Sequence, residues 1–389
     1  MTFTIEQYGV GDRRLRDFVR VPWVLFRGDP HWTPPLTGEL LGNRLLGLTG
    51  LLTSEHPYHR DAESTHFVAR DGRRLLGRVS AAVNRRFNEH HGSEIGFFGF
   101  FDVCEQYEVA EALLDHARDW IQDRGMTVMR GPGAYSNATH EAHQAVLIDG
   151  FNDPPTVELT HNPPYYDAFL KRYGLRKAKD YHAYKILLVP PSDRLIRVCD
   201  AVGKRRNIKT RRINVKALRS EVGLIVDIYN EAWASNWGFL PLTEAEADAT
   251  ADNLKTVIDP GLIRFATVDG EIAAVLGALP DPNVALRPKW NRLRDTDLIR
   301  ALRLLRMRRR IPVMRLMFFG VRPQFRKLGI DALLYLQVQE YCVRHGYKIC
   351  EPSMLLEDND LILRASASME GERYKTWRVY DMPIGRTVD

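Results

Sequence analysis

The sequence predicts two α/β domains of one plan, because the same order of elements occurs in both halves of the chain. Each half has two apolar strands joined by an Asp-Gly turn, at residues 67–77 and 265–276. Each hairpin is followed by a third apolar strand, 95–101 or 313–321, and then by a helix and another strand. A strand-helix-strand connection joins parallel neighbours, so we expect in each half a mixed, mostly antiparallel sheet with one central parallel unit and flanking helices.

The elements after the third strand also correspond between the halves. The two helices have apolar residues at helical spacing and end at Gly125 and Gly346. Later helices end at Gly174 and Gly371. The remaining strands are predicted, in chain order, at 126–130, 183–189, 347–355 and 376–380. We therefore expect a first domain at 1–192 and a second at 193–389.

Composition and charge limit the classes to which this protein can belong. No run approaches the roughly 18 uncharged apolar residues of a membrane span, and the first twenty residues are charged, so we expect a cytoplasmic protein. The four cysteines form no CxxC pair, which fits a reducing compartment. The net charge of +6 is concentrated in two basic segments, 194–219 and 287–315. Such segments attract polyanions: a phosphate-rich cofactor, anionic lipid or nucleic acid.

The two halves differ at the loop that follows the second core strand. In the first half this loop covers 131–164 and is rich in Gly, Pro, Asn and Tyr, whereas the second half has only a few residues there, 357–359. Long loops of this composition are typical of active sites. We expect 131–164 to form one.

The junction between the third strand and its helix differs as well. In the second half it contains Arg322, Arg326, Lys327 and Gly329, and a basic turn that enters a helix binds phosphate through backbone N–H groups and the helix dipole. The first half has Asp102 and Glu105 at this junction, which would repel an anion. Only the second half is therefore predicted to bind phosphate.

The segment Arg326-Lys327-Leu328-Gly329-Ile330-Asp331 resembles the R/Q-x-x-G-x-G/A loop of the GNAT acyltransferase superfamily, which holds the pyrophosphate of coenzyme A. Asp331 departs from that pattern at its last glycine. Further segments, at 29–35, 96–101, 162–166 and 329–335, resemble tandem-domain acyltransferases similar to the acyl-CoA-dependent bacterial ceramide synthases. The resemblance implies two GNAT-like domains, the first degenerate and carrying the acceptor loop, the second carrying the acyl-CoA.

The implied reaction is direct transfer of a fatty acyl group from acyl-CoA to the primary amine of a long-chain base such as sphinganine. The expected partners are acyl-CoA and a hydrophobic amine, and no metal is expected. Backbone N–H groups of 318–321 would polarise the thioester carbonyl. The residues expected to bind acyl-CoA are Phe319, Val321, Arg322, Arg326, Lys327, Leu328, Gly329, Ile330, Asp331 and Asn359.

Candidate catalytic residues follow from the need for a base and a proton donor. Glu351, Glu357 and Glu141 are candidate bases, because a carboxylate in an apolar cleft can have a raised pKa. The superfamily's proton-donating tyrosine falls near Ser366, so Tyr374 and Tyr380, which lie nearby in sequence, are the candidate substitutes, with Tyr374 preferred. Asn359 also fits a helix cap. The expected acceptor pocket comprises Tyr135, Asn137, His140, Asn162, Tyr165 and Tyr166.

The segment 297–310 alternates leucines with arginines, a cationic amphipathic pattern that can lie on an anionic membrane. We therefore expect a peripheral contact with the inner membrane through this helix. The alternatives to the leading function are acetyl transfer to a small amine and a non-catalytic protein that binds acyl-CoA or RNA. Nucleic acid is not an expected partner, because aromatic residues are not interleaved with the basic clusters.

Overall fold

The structure is a computed structural model that describes residues 2–43, 48–133, 144–205, 207–254, 258–291 and 293–385. It contains two compact units. The first unit consists of Met1–Tyr181, Leu286–Leu304 and Lys375–Asp389, and the second of His182–Ala285 and Leu305–Tyr374. Residues 286–304 and 375–389, which the sequence assigns to the second domain, thus belong to the first unit.

The first unit is built on an antiparallel sheet with one parallel pair. Its helices are α1 (Leu15–Leu25), α2 (Thr37–Leu41), α3 (Arg85–His91), α4 (Tyr107–Gln122) and α5 (Tyr165–Arg172). Its strands are β1 (Thr4–Gly9), β2 (Ala62–Asp71), β3 (Arg74–Asn84), β4 (Ile95–Val103), β5 (Val128–Gly131) and β6 (Val146–Asp149), and it also contains the start of β7 (Arg176–Leu187).

The first unit's sheet confirms the predicted parallel core. Strands β1 to β4 pair antiparallel in sequence order, and β4 pairs parallel with β5 through helix α4. The last strand of the chain, β14 (Glu372–Pro383), pairs antiparallel with both β5 and β6. β6 is a strand within the segment that the sequence analysis treats as one long loop.

The second unit repeats this plan. Its helices are α6 (Asp193–Arg205), α7 (Leu218–Ala232), α8 (Glu244–Leu254), α9 (Asn283–Leu286), α11 (Ile330–His345) and α12 (Asp360–Ser368). Its strands are β8 (Ile208–Arg212), β9 (Ile263–Val268), β10 (Glu271–Pro280), β11 (Val313–Val321), β12 (Ile349–Pro352) and β13 (Leu355–Leu356). Helix α10 (Asp297–Met307) begins in residues of the first unit and ends in the second.

The second unit's sheet has the order β8, β9, β10, β11, β12, and the end of β7 pairs with β12. All these pairs are antiparallel except β11 with β12, which is parallel and is connected by helix α11. The predicted mixed sheet with a central strand-helix-strand unit is therefore confirmed in both units. Among the helices of the described residues, none has the length and apolar character needed to cross a bilayer.

Helices cover both faces of the second unit's sheet because alternate strand residues point to opposite faces. Phe265 and Val275 pack against the apolar side of α7, whereas Ala266 and Leu276 pack with α11. Each large apolar side chain that is fully buried contributes about 1.5–3 kcal/mol to folding. The basic segment at 194–219 is not a linker, since α6 buries Cys199 in the same core as α11.

Candidate active site

Strands β11 and β12 separate in the middle of the second unit's sheet. They pair only over 313–316 and 349–352, after which β12 ends and β11 continues to Val321. On its other side β11 remains paired with β10 through a bulge, where Met317 has no counterpart between Gly277 and Ala278. Residues 317–321 therefore form a strand edge that β12 does not cover. Such an edge presents backbone groups to a substrate.

Two of the predicted catalytic residues meet at this point. Glu351 lies on β12, is 3% exposed, and accepts a hydrogen bond from the Tyr374 hydroxyl. The Lys185 amino group lies 4.4 Å from the centre of the Tyr374 ring, a cation–π contact that fixes the ring's position. The structure thus brings a buried carboxylate and a tyrosine hydroxyl together beside the separated strands.

Arg315 and Ser353 support the same cluster. Arg315 is the register partner of Glu351 on the neighbouring parallel strand, is 6% exposed, and donates to the Ser353 hydroxyl at 2.8 Å. The roles of Arg315, Ser353 and Lys185 were not predicted from the sequence. Arg315 could have been found, because Arg315 and Glu351 are each a charged residue within a predicted apolar strand, and a buried charge needs a partner.

The remaining predicted catalytic positions are Glu357 and Glu141. Glu357 follows β13 and is partly exposed. Glu141 lies outside the described residues. The buried Ser366 hydroxyl donates to the Ile362 carbonyl of its own helix, so this serine does not replace the missing tyrosine. Asn359 caps α12 by accepting from the Ile362 N–H, as its alternative reading predicted, and its contact with acyl-CoA stays a prediction.

The loop between β11 and α11 has the geometry of an anion site. Lys327 and Gly329 adopt left-handed backbone conformations, with φ of 65° and 80°, and Gly329 is the N-cap of α11. In the described part of the chain, backbone hydrogen bonds of this loop end with the Arg326 N–H and resume with the Leu333 N–H. Left-handed turns and unpaired N–H groups at a helix start form concave sites for anions.

The predicted basic residues of this loop differ in their exposure and in the ion pairs that they form. Arg322 forms ion pairs with Glu231 at 3.5 Å and Glu271 at 4.0 Å, so part of its charge is compensated within the unit. Arg326 is exposed and donates to the carbonyls of Ala232 and Val321. Lys327 is exposed beside it. Arg326 and Lys327 are thus the accessible cations of the predicted set.

The predicted apolar members of the set lie around the same loop. Val321, Leu328 and Phe319 are partly buried against the second unit's core, and Ile330 is fully buried there. The Phe319 carbonyl accepts a hydrogen bond from the Trp233 indole at 3.1 Å. Asp331 occupies the first turn of α11, where an acid competes with a bound anion. These side chains hold the loop, whereas its backbone N–H groups are exposed to an anion.

Among its described residues, the first unit shows no equivalent opening between its parallel strands. After the pairs of β4 and β5 end, the Gly133 N–H donates to the Phe98 carbonyl at 2.7 Å, which keeps the two chains together. The end of β4 is held as well. Tyr165 donates to the Val103 carbonyl at 2.7 Å, and Tyr166 accepts from the Val103 N–H at 2.8 Å.

These contacts change the predicted acceptor pocket. The hydroxyls of Tyr165 and Tyr166 fasten β4, and burial raises the pKa of both groups. Asn162 is buried and bonds with both backbone groups of Leu147 on β6. All three therefore have structural roles, and their contacts with an acceptor stay a prediction. The other predicted members, Tyr135, Asn137 and His140, lie outside the described residues.

Helix α10 does not expose every arginine of the predicted cationic amphipathic pattern. Arg300 is fully buried and donates to the carbonyls of Leu286, Pro34 and Pro35. Arg303 donates to the Arg287 carbonyl at 2.7 Å. The residues that the helix exposes are mostly apolar, namely Leu298, Ile299, Leu302 and Leu305.

Two repeated mixed sheets, separated central strands in one of them and an anion loop at the following helix define a tandem GNAT acyltransferase. The chain is 30% identical to the bacterial ceramide synthase of Caulobacter vibrioides over 380 residues, which covers 95% of each chain. It therefore belongs to the family of that protein. It is also 28% identical to protein YghO of Escherichia coli, over 95% of this chain and 93% of the relative.

Solved structures support the tandem fold. A tandem GNAT protein from the clavulanic acid biosynthesis pathway has a TM-score of 0.57 at 14% identity and covers 99% of this chain and 100% of its own. A GCN5-related N-acetyltransferase from Sphaerobacter thermophilus has a TM-score of 0.54 at 15% identity. The match covers 100% of this chain and 97% of that protein. No family model matches the chain.

The left-handed Gly329 can be tested against a helical glycine. An alanine at Gly329 would take a left-handed backbone and place its Cβ 3.0 Å from a Val202 methyl group. We expect Gly329→Ala to lower the free energy of unfolding by about 1–2 kcal/mol. Gly223→Ala, inside α7 with open space around its Cβ, should raise it by about 0.5–1 kcal/mol. Urea denaturation measures both, and equal effects of the two substitutions would contradict the loop geometry.

Proposed function

We propose that this acyltransferase moves a fatty acyl group from acyl-CoA directly onto the primary amine of a long-chain base. The observation that carries the proposal is the Glu351–Tyr374 pair beside the separated strands β11 and β12. The family relation supports the choice of acceptor, since one relative is named a ceramide synthase. The donor is assigned from the anion loop at the start of α11, which suits the pyrophosphate of coenzyme A.

The pair can accept the proton that the amine loses and supply the proton that the leaving thiolate gains. As the amine nitrogen forms its bond to the thioester carbon, Glu351 takes the proton that the nitrogen loses. The carbon–sulfur bond breaks, and Tyr374 gives its hydroxyl proton to the leaving thiolate. Glu351 then returns its proton to Tyr374 along the hydrogen bond between them. After this exchange Glu351 is again a carboxylate and Tyr374 again a neutral phenol, so the charge of the protein is unchanged by the reaction.

Backbone groups would stabilise the developing negative charge on the carbonyl oxygen. The edge of 317–321 is not covered by β12, and fixed N–H donors at such an edge require no reorganisation during the reaction. Met317 is the extra residue of the bulge, and residues 318–321 remain paired with β10 on the other side of β11, which holds this edge in place. Phe319 and Val321 would then contribute through their backbones.

The proton route can be tested on two variants that keep the shape of the pair. Glu351→Gln removes the carboxylate base and should lower kcat about 10²–10⁴-fold, while Tyr374→Phe removes the acid and keeps the ring under Lys185. Thiol release from palmitoyl-CoA with sphinganine measures the rate, and product mass identifies the amide. An acetyl-CoA arm with a small amine tests the alternative substrate class.

Glu357→Gln is the matched control, because Glu357 is an acid of the same segment outside the Glu351–Tyr374 pair. It should change kcat by less than about threefold. Retention of the full rate by Glu351→Gln, or a larger loss from Glu357→Gln, would contradict the assignment of the base. Preferred turnover of acetyl-CoA with a small amine would contradict the long-chain substrates.

The anion loop predicts a charge effect on binding of the donor. Arg326→Glu places an acid at the start of α11 and should weaken binding of coenzyme A at least about tenfold, the size of one charge-assisted contact. Arg364→Glu is the control, because Arg364 is an exposed arginine on α12. Calorimetry with coenzyme A measures both. Equal affinities of the two variants would refute the loop assignment.

We also propose that α10 docks on an anionic membrane, which would give access to a lipid-borne substrate. Leu298, Leu302 and Leu305 follow one another at helical spacing and are 69%, 49% and 48% exposed. The exposed arginines Arg306, Arg308, Arg309 and Arg310 follow at the end of this helix. An apolar stripe with adjacent cations is typical of helices that lie in the membrane interface.

The membrane contact should depend on the leucines and not on general surface hydrophobicity. Leu298→Asn with Leu302→Asn removes two apolar side chains, so binding to phosphatidylglycerol vesicles should fall at least about tenfold. Leu361→Asn alters an 85% exposed leucine on α12 and serves as control. Sedimentation with vesicles measures the bound fraction. Equal sedimentation of all three proteins would exclude α10 as the docking element.

A further inference from the structure

The sheet face of the second unit that packs against α11 carries three arginines near its edge strand β8. Arg212 lies on β8, Arg264 on β9 and Arg344 near the end of α11. Arg212 and Arg264 are register partners, so their side chains leave the sheet on the same face and directly opposite each other. Arg212 belongs to the basic segment 194–219, for which the proposed acyl transfer has no role. We call these three residues the arginine cluster.

The charges of the arginine cluster repel one another. Like charges directly opposite each other on neighbouring strands destabilise a sheet. Burial of Arg264, together with the charges of Arg212 and Arg344, lowers the pKa of its guanidinium. Glu340 forms an ion pair with Arg344 at 3.5 Å. Among the described residues, Arg212 and Arg264 form no ion pair, so their two charges are uncompensated.

Arg264 is held in place by a hydrogen-bond network. Its Nη1 donates to Gln337 Oε1 at 2.9 Å, and the Thr210 hydroxyl donates to the same oxygen at 2.6 Å. Because both bonds end on Oε1, the amide nitrogen of Gln337 is a further donor beside the arginines. The buried Nε of Arg264 has no hydrogen-bond partner in the described part of the chain. The protein thus fixes a charged group whose hydrogen bonds it does not complete.

The other two arginines are oriented by α11 but remain accessible. The Arg212 guanidinium lies 5.1 Å from the centre of the Tyr341 ring, a cation–π contact. Arg344 donates from Nε to the Glu340 carbonyl at 3.1 Å. Both arginine side chains are exposed to solvent. A ligand can therefore reach their guanidinium groups without a change of the fold.

The negative groups near the arginine cluster are already bonded within the protein. Asp259 accepts from the hydroxyls of Tyr341 and Tyr347, at 2.7 and 2.8 Å. A helix end carries partial negative charge, and at the end of α11 the Cys342 carbonyl accepts from the Tyr347 N–H at 3.0 Å. With Glu340 and Asp259 counted against the three arginines, the local charge is still positive. An anion is therefore attracted to this surface.

We propose that Arg212, Arg264 and Arg344 bind a phosphate monoester, which supplies the negative charge and the acceptors that the cluster lacks. A phosphate monoester has three terminal oxygens and about −1.5 to −2 charge at pH 7, so it can accept from guanidinium groups on three elements at once. The rise of α11 places Arg344 about 20 Å from Ile330 at its start. The site is thus separate from the anion loop, and it needs neither acyl-CoA nor Glu351.

Glycerol 3-phosphate is the probe, and glycerate is its matched control because it carries a planar carboxylate with two oxygens and one charge. Every protein in the experiment carries Arg326→Glu, which weakens the anion loop at the start of α11. Calorimetry on the full chain measures both affinities. We expect glycerol 3-phosphate to bind at least about tenfold more tightly than glycerate. Equal or reversed affinities would overturn the proposal.

Substitutions on two elements test the geometry of the cluster. Arg212→Gln should weaken binding of glycerol 3-phosphate at least about tenfold, and Arg212→Lys, which keeps the charge but loses the planar fork, about threefold or more. Arg344→Gln should also weaken it, and this variant keeps the Arg212 contact with Tyr341. Arg364→Gln is the control, because Arg364 is an exposed arginine on α12. Equal affinities of all four variants would overturn the proposal.

Two vesicle preparations identify the source of the phosphate group. Phosphatidylcholine vesicles with phosphatidic acid present a monoester headgroup, whereas those with phosphatidylglycerol present a diester. If Arg212→Gln weakens binding of glycerol 3-phosphate and sedimentation with phosphatidic acid, the ligand is a lipid headgroup. If binding of glycerol 3-phosphate alone falls, the ligand is a free phosphate ester. An equal loss on both vesicle types with unchanged binding of glycerol 3-phosphate would be a general charge effect and would overturn the proposal.

These outcomes are distinct from those of the proposed function. If binding of glycerol 3-phosphate depends on Arg212 but no acyl-CoA is consumed, the phosphate site stands and the proposed function falls. If acyl transfer occurs and Arg212→Gln binds glycerol 3-phosphate as tightly as the Arg364→Gln control, the proposed function stands and the phosphate site falls.

Discussion

The candidate active site depends on the point at which β11 and β12 stop pairing. Four residues of each strand form a parallel ladder, and then β12 ends while β11 continues along β10. This separation leaves the edge of 317–321 uncovered and places Glu351 at its start. A continuous ladder would pair the backbone groups of 317–321 with β12, and the proposed reaction needs those groups free.

The two units have the same order of strands but differ at the ends of their parallel strands. In the first unit, Gly133 bonds to Phe98 just beyond the parallel ladder, and two tyrosine hydroxyls fasten the last residue of β4. In the second unit the corresponding strand continues into the loop that carries the exposed Arg326 and Lys327. The described strand ends of the first unit are thus paired where those of the second unit are separate.

The sequence predicted elements well and pairing partners less well. The strand predicted at 313–321 has those same bounds in the structure, because its apolar residues lie between clear polar boundaries. The last strand was also predicted, but periodicity carries no information on partners, and β14 pairs with β5 and β6 far away in the chain. β6 was missed because its short apolar run is surrounded by Gly, Pro and Asn. The burial of Arg300 was not predicted, because a charged residue is normally exposed and its partners, the carbonyls of Pro34, Pro35 and Leu286, are not its neighbours in the sequence.

The central claim is that the thioester lies beside β11 and β12 of the second unit. The most direct measurement is crosslinking with a photoreactive acyl-CoA whose label is next to the thioester, followed by peptide mass spectrometry. The account predicts labelled residues within 317–321 and 351–353, with competition by unlabelled coenzyme A. Labelling confined to β4 of the first unit, residues 95–103, would contradict it.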